Sequence, residues 1–353
     1  MPTFRTLRVV EILAERPGLQ RVGLDDDSRA YALTQLTGSV SVGDAVVVNT
    51  TAVDLGLGTG GWHVVHWNLS QREFDEPGPG HIMKLRYTSL QVDTGAAEEF
   101  EWSGTMEADQ RPLPDLGGVP ILIGSLHSQV GIAAAVAHET RPDLRVVYVM
   151  TDGAALPLAL SDLVHDLRER RLLHGTVTAG HAFGGDLEAV STASALQLAV
   201  ERLGADLVIC AMGPGVVGTA TALGTTAVEV ASIATTAVQL GARPVVMVRA
   251  SEADGRSRHR GISHHTRTAL ALTPVPVDVV ITADLLALSA ELAPHRVVVG
   301  DGSDSADLLA RHAVRVTTMG RGPADDPVFF ATTAAAARHA VALVSRPDTV
   351  SGA

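Results

Sequence analysis

The side chains with the most chemistry to offer lie in the run Ser251–Thr266, SEADGRSRHRGISHHT. Arg256, Arg258 and Arg260 alternate there, and guanidiniums two residues apart on an extended segment can point the same way and clamp an anion bidentately. His259, His264 and His265 interleave with Ser263 and Thr266. His264 and His265 are adjacent, so in a strand they face opposite ways, and joint coordination of one ion calls for a bent loop. A His pair completed by Asp152, Asp186 or Glu188 can hold a divalent metal. One His can equally act as general base with a carboxylate orienting it. Structural or helix-capping histidines are the bland alternative. Asp186 and Glu188 follow Gly184-Gly185 and read either as acid/base carboxylates or as acidic residues of a helix's first turn. The catalytic candidates are therefore His264, His265, Asp186, Glu188 and Asp152. No residue is assigned as a metal ligand; the cofactor stays unknown, with a divalent metal admitted.

A second feature is Ala205–Thr226, ADLVICAMGPGVVGTATALGTT. Leu207–Met212 has the composition of a strand buried on both faces. It breaks at Gly213-Pro214-Gly215 and continues through Gly218 into an Ala/Thr/Val-rich segment that can be helical. Glycines at the carboxyl end of a buried parallel strand let backbone approach a ligand, and a helix starting just beyond would favour an anion. Gly213, Gly215 and Gly218 match G-x-G-x-x-G, but the acidic residue that a dinucleotide site carries about 20 residues on is missing. An anion or ligand site, a nicotinamide or flavin fingerprint and a plain strand-to-helix turn are the three readings.

Ligands of open α/β sheets bind beyond the carboxyl ends of strands. Those positions here are Ser125–Ser128, Thr151–Gly153, Gly180–Glu188, Gly213–Thr219 and Ser251–Thr266, and they concentrate Gly, His, Asp, Ser and Thr. Ligand-binding candidates are Gly213, Gly215, Gly218, Thr219, Lys84, Arg258, Ser128 and His181. Lys84 is the single lysine among 27 basic residues. A lone lysine in an arginine-rich chain can mark a place that needs a compact or titratable amine, or a surface lysine retained by chance.

The elements that must position these groups fall into two parts. Residues 1–92 form a small β-rich domain with strands expected at Leu7–Leu13, Gln20–Leu24, Arg29–Leu33 and Ala45–Asn49, punctuated by Pro17-Gly18, Asp25–Asp27 and Gly43-Asp44. This pattern suggests a small β-barrel. A strand over His81–Thr88 would put Ile82, Lys84 and Arg86 on one face, as an anion site or a solvated surface. Residues 93–117 read as a connection, and 118–348 as an α/β domain with a mostly parallel, doubly wound sheet. Its strands are expected at Pro120–Ser125, Leu144–Met150, Gly175–Ala179, Leu207–Met212, Pro244–Arg249, Val277–Thr282, Arg296–Gly300 and Val314–Thr318. Helices are expected near Gln129–His138, Ser161–Leu172, Thr192–Leu203, Thr226–Leu240, Asp284–Leu292, Ser305–His312 and Ala331–Val344.

Composition narrows the function classes. The chain has 353 residues, a net charge of −12 and no basic run, which argues against nucleic-acid binding. Its one cysteine, Cys210, excludes an internal disulfide. No apolar window is long enough to span a membrane and the N-terminus lacks a secretory h-region, so the expected location is the cytoplasm. Ala-rich helices with sparse surface charge fit a homo-oligomer. There is no G-x-S-x-G, CxxC, HExxH or Walker A pattern.

At GHIMKLRYT, SLHSQVG, YVMTDGAALPLALS, GHAFGGDLEAV, AMGPGVVGTAT and RHRGISHHTRTAL the chain resembles the bacterial proteins catalogued as domain of unknown function 3866. The resemblance covers nearly the whole chain. It implies that these segments act as one unit, with GHIMKLRYT beside the C-terminal loops, and supplies no substrate or catalytic assignment. The expected function is a small-molecule enzyme, a hydrolase or group transferase, acting on an anionic or phosphorylated substrate. The alternative is a non-catalytic ligand sensor or assembly subunit using the same pocket.

Overall fold

The computed structural model describes residues 1–58, 60–101 and 112–345. The chain divides into two compact units, Met1–Gly95 and Ala96–Ala353. Residues 102–111 of the segment read as a connection lie outside the described residues.

The first unit is a closed five-stranded barrel. Its strands are β1 (Phe4–Arg16), β2 (Leu19–Leu24), β3 (Arg29–Ala32), β4 (Ala45–Asn49) and β5 (Trp62–Asn68), in the order β1-β2-β3-β5-β4. Two single-turn helices, α1 (Thr34–Thr37) and α2 (Thr51–Asp54), interrupt the strands. Alternation decides which side chains go inside: Val22 and Leu24, Ala30 and Ala32, and Val46 and Val48 fill the interior with Val9, Val40 and Val65. The short pair β6 (Met83–Lys84) and β7 (Val92–Asp93) completes the unit. The longer strand expected over His81–Thr88 does not form. Leu85 and Tyr87 take φ of +53° and +64°, and such left-handed residues end an extended run. Lys84 is buried, 1% exposed, rather than part of a solvated cationic face with Arg86.

The second unit is an eight-stranded, all-parallel sheet covered by helices on both faces. Following α3 (Ala97–Glu101), the chain alternates β8 (Pro120–Gly124), α4 (Ser128–Thr140), β9 (Val146–Thr151), α5 (Asp162–Glu169), β10 (Gly175–Ala179), β11 (Leu187–Ala189) and α6 (Thr192–Glu201). It continues with β12 (Leu207–Met212), α7 (Glu229–Gln239), β13 (Arg243–Met247), the short pair β14 (Ala250–Ser251) and β15 (Gly261–Ile262), and α8 (His264–Ala271). Then come β16 (Asp278–Ile281), a 3₁₀ segment at Ala283–Leu292, β17 (Arg296–Val299), α9 (Ser305–Arg311) and α10 (Pro327–Leu343). The sheet order is β11-β10-β9-β12-β8-β13-β16-β17. From β9 to β11 the chain builds outward on one side; β12 returns beside β8, and from β13 onward it builds on the other. The direction of winding therefore reverses around β12, β8 and β13, where such sheets open a crevice.

Central strands such as LVICAM in β12 are buried along their whole length, as parallel strands sandwiched between helix layers must be. Successive side chains enter opposite cores. Leu122, Tyr148, Ile209 and Met247 join α4, α9 and α10 on one face. Ile121, Val149, Cys210 and Val246 join α6 and α7 on the other. Small residues let these layers close: a side chain at Gly302 would meet the Ala331 carbonyl in α10. Ser161 caps α5 through Val164 N, and Ser191 with Ser194 forms a capping box on α6. Val314–Thr318 is not the further strand expected. Val314 and Val316 instead pack on the α4 side core, and the region makes only an isolated bridge between Thr318 and Arg321. Among the described residues no helix is long and apolar enough to cross a membrane.

Candidate functional site

The site is built on the carboxyl ends of β12 and β13. Met247 ends β13, and the chain bends through Arg249 into the β14–β15 pair, whose loop carries Asp254, Arg256, Arg258 and His259. Here α8 begins. Ser263 is its N-cap, with Oγ accepting from His265 N at 3.2 Å. His264 and His265 therefore stand in the first turn of a helix, not in the strand or bent loop that adjacency suggested. Consecutive helical residues are about 100° apart rather than on opposite faces. Their ring centroids lie 4.3 Å apart, and that of His259 lies 4.9 Å from each. His259 and His265 are buried, whereas His264 is partly exposed.

A charged network fixes this trio. Asp254, 2% exposed, receives Arg256 bidentately at 2.9 Å on both oxygens, and Arg321 at 3.4 Å. Arg249, 4% exposed, has NH2 3.6 Å from the same carboxylate. Arg321 also reaches Asp326, which accepts Ser251 Oγ at 2.7 Å. Arg249 NH1 approaches His265 Nδ1 at 3.3 Å, with Thr225 Oγ1 at 3.5 Å from the same nitrogen. His259 Nδ1 and Ser263 Oγ are 2.7 Å apart. The Nε2 atoms of His264 and His265 are buried with no hydrogen-bond partner.

Burial and the surrounding cations keep all three imidazoles neutral. Burial, then Arg249 and Arg256, depress His259 to about 3. Burial and Arg249 depress His265 to about 4. His264 is lowered by burial and by Arg258. Each ring thus retains a lone pair at neutral pH, able to accept a proton or bind an electrophile.

The glycine turn reaches the same place. After β12 the chain makes an exposed excursion closed by an antiparallel bridge between Gly218 and Thr225, followed by a 3₁₀ turn at Thr226–Val228. That turn runs directly into α7 at Glu229, so the helical segment starts at Thr226 as expected, with its first turn 3₁₀. Gly218 lies against the His265 ring; a Cβ there would sit 2.7 Å from Cε1 and Nε2. Gly213 is held beside Met150, Gly215 is open with φ +110°, and Thr219 hydrogen-bonds within the turn to Thr221 and Gly224. Gly218→Ala is expected to cost about 1–3 kcal/mol by overpacking. Urea unfolding would measure it, and an unchanged midpoint would show that the turn yields freely.

Asp186 and Glu188, two of the carboxylates considered as partners of the histidines, are held across the sheet. Asp186 stands at the amino end of β11 and takes hydrogen bonds from Thr176 N and Oγ1 and from Arg168. Burial works against its charge, but these partners prevail and hold its carboxyl below the ordinary value. Glu188 is in β11, not a helix's first turn, and accepts Thr178 Oγ1 at 2.7 Å and Gly184 N at 2.6 Å. At about 4.8 Å per strand, β10 is four steps, about 19 Å, from β13, with β11 one step further. Asp152 follows β9 and pins the turn through Ala155 N and His181 N, at 3.1 and 2.9 Å. His181 lies on the turn after β10, and Ser128 is the first residue of α4 beyond β8. Lys84 belongs to the first unit. Arg258 is exposed on the histidine loop.

Several polar groups of the crevice were not singled out from sequence. Gln129 ties β8 to β13, accepting from Ser125 N and Leu126 N and donating to the Met247 carbonyl. His127, depressed to about 4 by burial, lies 3.2 Å from Tyr148 Oη and 2.7 Å from Ser161 Oγ. Glu229 holds Thr151 Oγ1 at 2.9 Å from both oxygens, and burial with nearby Asp152 pushes its carboxyl up to about 7 although Thr151 opposes this. His259 stood in the histidine run but had no role assigned; its i, i+5 and i+6 spacing to the pair becomes a cluster only when the short strand β15 and a helix start intervene.

Comparison with curated proteins and with solved structures found no match to this chain. A family model described as protein of unknown function (DUF3866) matches residues 29–337. That span takes in barrel strands β3, β4 and β5 and every group of the histidine–arginine site, and the chain belongs to this family.

Proposed function

We propose that the protein is a small-molecule enzyme, a hydrolase or group transferase, that takes an anionic or phosphorylated substrate at the carboxyl ends of β12 and β13. The observation that carries this reading is the contact of Gly218 with the His265 imidazole, which joins the glycine turn to the arginine–histidine loop. In this reading Arg258, exposed beside neutral imidazoles, supplies the charge that draws an anion. Backbone of the turn packs over the substrate without an intervening side chain. The imidazoles, unprotonated at pH 7, serve the reacting centre as proton acceptors or ligands.

The test is a turnover screen of the purified full chain against phosphate esters and other anionic metabolites. His264→Ala is expected to lower kcat about 100- to 10,000-fold, the range for losing a positioned catalytic group. Asp186→Asn, four to five strands away, should leave kcat/KM unchanged. Binding of an anionic compound with no turnover would replace the enzyme with a ligand sensor. Absence of both would defeat the reading.

A further inference from the structure

We infer that His259, His264 and His265 form a three-imidazole site for a divalent transition metal of the zinc class, whose remaining coordination position is taken by an oxygen of an anionic ligand. The inference rests on the reading of this crevice as an anionic-substrate site and names the ion that would hold the substrate. One nitrogen from each ring lies within 4.8 Å of one from the others. A tetrahedral ion with bonds of about 2.0–2.1 Å needs nitrogens about 3.4 Å apart, a closure that modest ring rotations supply. Two of the candidate donors, Nε2 of His264 and of His265, are buried without a partner, and His265 is only 4% exposed. Unsatisfied buried nitrogen is costly unless something binds it.

The surroundings fit ligation. A metal-bound imidazole passes its second ring proton to an oxygen acceptor. Ser263 Oγ stands 2.7 Å from His259 Nδ1, and Thr225 Oγ1 stands 3.5 Å from His265 Nδ1. Ligation at His265 Nε2 puts the proton on Nδ1, so Arg249, now 3.3 Å away, must turn from that nitrogen toward Asp254, its other neighbour. The absence of a side chain at Gly218 keeps the space beside His265 Nε2 clear. The donor set is all imidazole, which selects zinc, cobalt, nickel or copper over magnesium and calcium.

Electrostatics decides what completes the shell. Arg249, Arg256, Arg258 and Arg321 surround the trio, while Asp254 and Asp326 are the carboxylates among them. Cations outnumber anions, so a bare dication is opposed and a metal carrying an anionic oxygen is favoured. Metal and anion should therefore bind with positive coupling.

The experiment is cobalt(II) titration of chelator-treated full-length protein, followed by visible absorption, with and without inorganic phosphate. The expected result is one cobalt per chain with an intense tetrahedral spectrum, bound more tightly and with a shifted band in phosphate. Losing an outer partner of a ligand typically weakens a metal about 10–100-fold, and His264→Gln, which removes a ligand, should weaken it at least that much. His259→Asn is a second ligand variant, and circular dichroism checks the fold of both. Octahedral or superstoichiometric binding, or equal affinity in folded variants, would overturn the site. A tetrahedral site indifferent to phosphate would overturn its coupling to an anion. Turnover that survives complete chelation would overturn the metal and leave the enzyme standing; a tight metal site without any turnover would do the reverse.

Discussion

Asp254→Ala is expected to destabilise the C-terminal unit by about 3–5 kcal/mol, because it strips the partner from buried cations. Arg249 is 4% exposed, and Asp254 balances it together with Arg256 and Arg321. An exposed ion pair would contribute about 1 kcal/mol or less, so burial is what makes the effect large. The Arg256 hydrogen bonds, outweighing burial, hold the Asp254 carboxyl well below its ordinary 3.8. A group with a depressed folded value stabilises above its unfolded value and loses that contribution as pH falls below it. The penalty of Asp254→Ala should thus be constant from pH 5 to 8 and shrink only in acid. Urea unfolding across that range measures it. Adding Arg249→Met should recover part of the loss, since the unpaired guanidinium is its main source. A penalty under 1 kcal/mol would mean that water reaches Arg249.

Glu229→Gln is expected to act in the opposite sense. Burial raises the Glu229 carboxyl from 4.5 to about 7, so the folded state holds its proton more tightly than the unfolded chain. Stability from this group is complete below pH 4.5, falls as pH rises toward 7 and stays lost above it. At about 1.36 kcal/mol per pH unit, a rise from 4.5 to about 7 makes the loss on the order of 3 kcal/mol. Glutamine keeps a polar partner for Thr151 and cannot ionise. The variant should therefore be more stable than the wild type by that amount at pH 8, and near parity at pH 4.5. A stability difference independent of pH would refute this account.

Much of the scaffold was legible because local composition and tertiary role agree. Runs such as LVICAM and PILIG are apolar on both faces, and only a sheet with two helix layers satisfies that. The barrel strands were legible from alternation, Val46 and Val48 inward and their neighbours outward. The same logic misplaced Val314–Thr318, where alternating valines serve a helix-packed core instead of a ladder.

By itself, then, the sequence determined the two architectures and the segments that end at the crevice, because burial patterns are written residue by residue. It also marked Gly213–Gly218 and Arg256–His265 as unusual. Which polar groups meet was decided by the tertiary structure alone. Asp186 looked like a partner for His264 by residue type, yet parallel pairing of β10 with β11 sets it beside Thr176 and Arg168, far across the sheet. The start of α8 at Ser263 brought His264 and His265 together, and the turn after β14 brought His259 to them. Gly218 met His265 only because β12 and β13, though not adjacent, both end at the point where the winding reverses. Such contacts depend on strand order, which composition and periodicity along one chain do not encode.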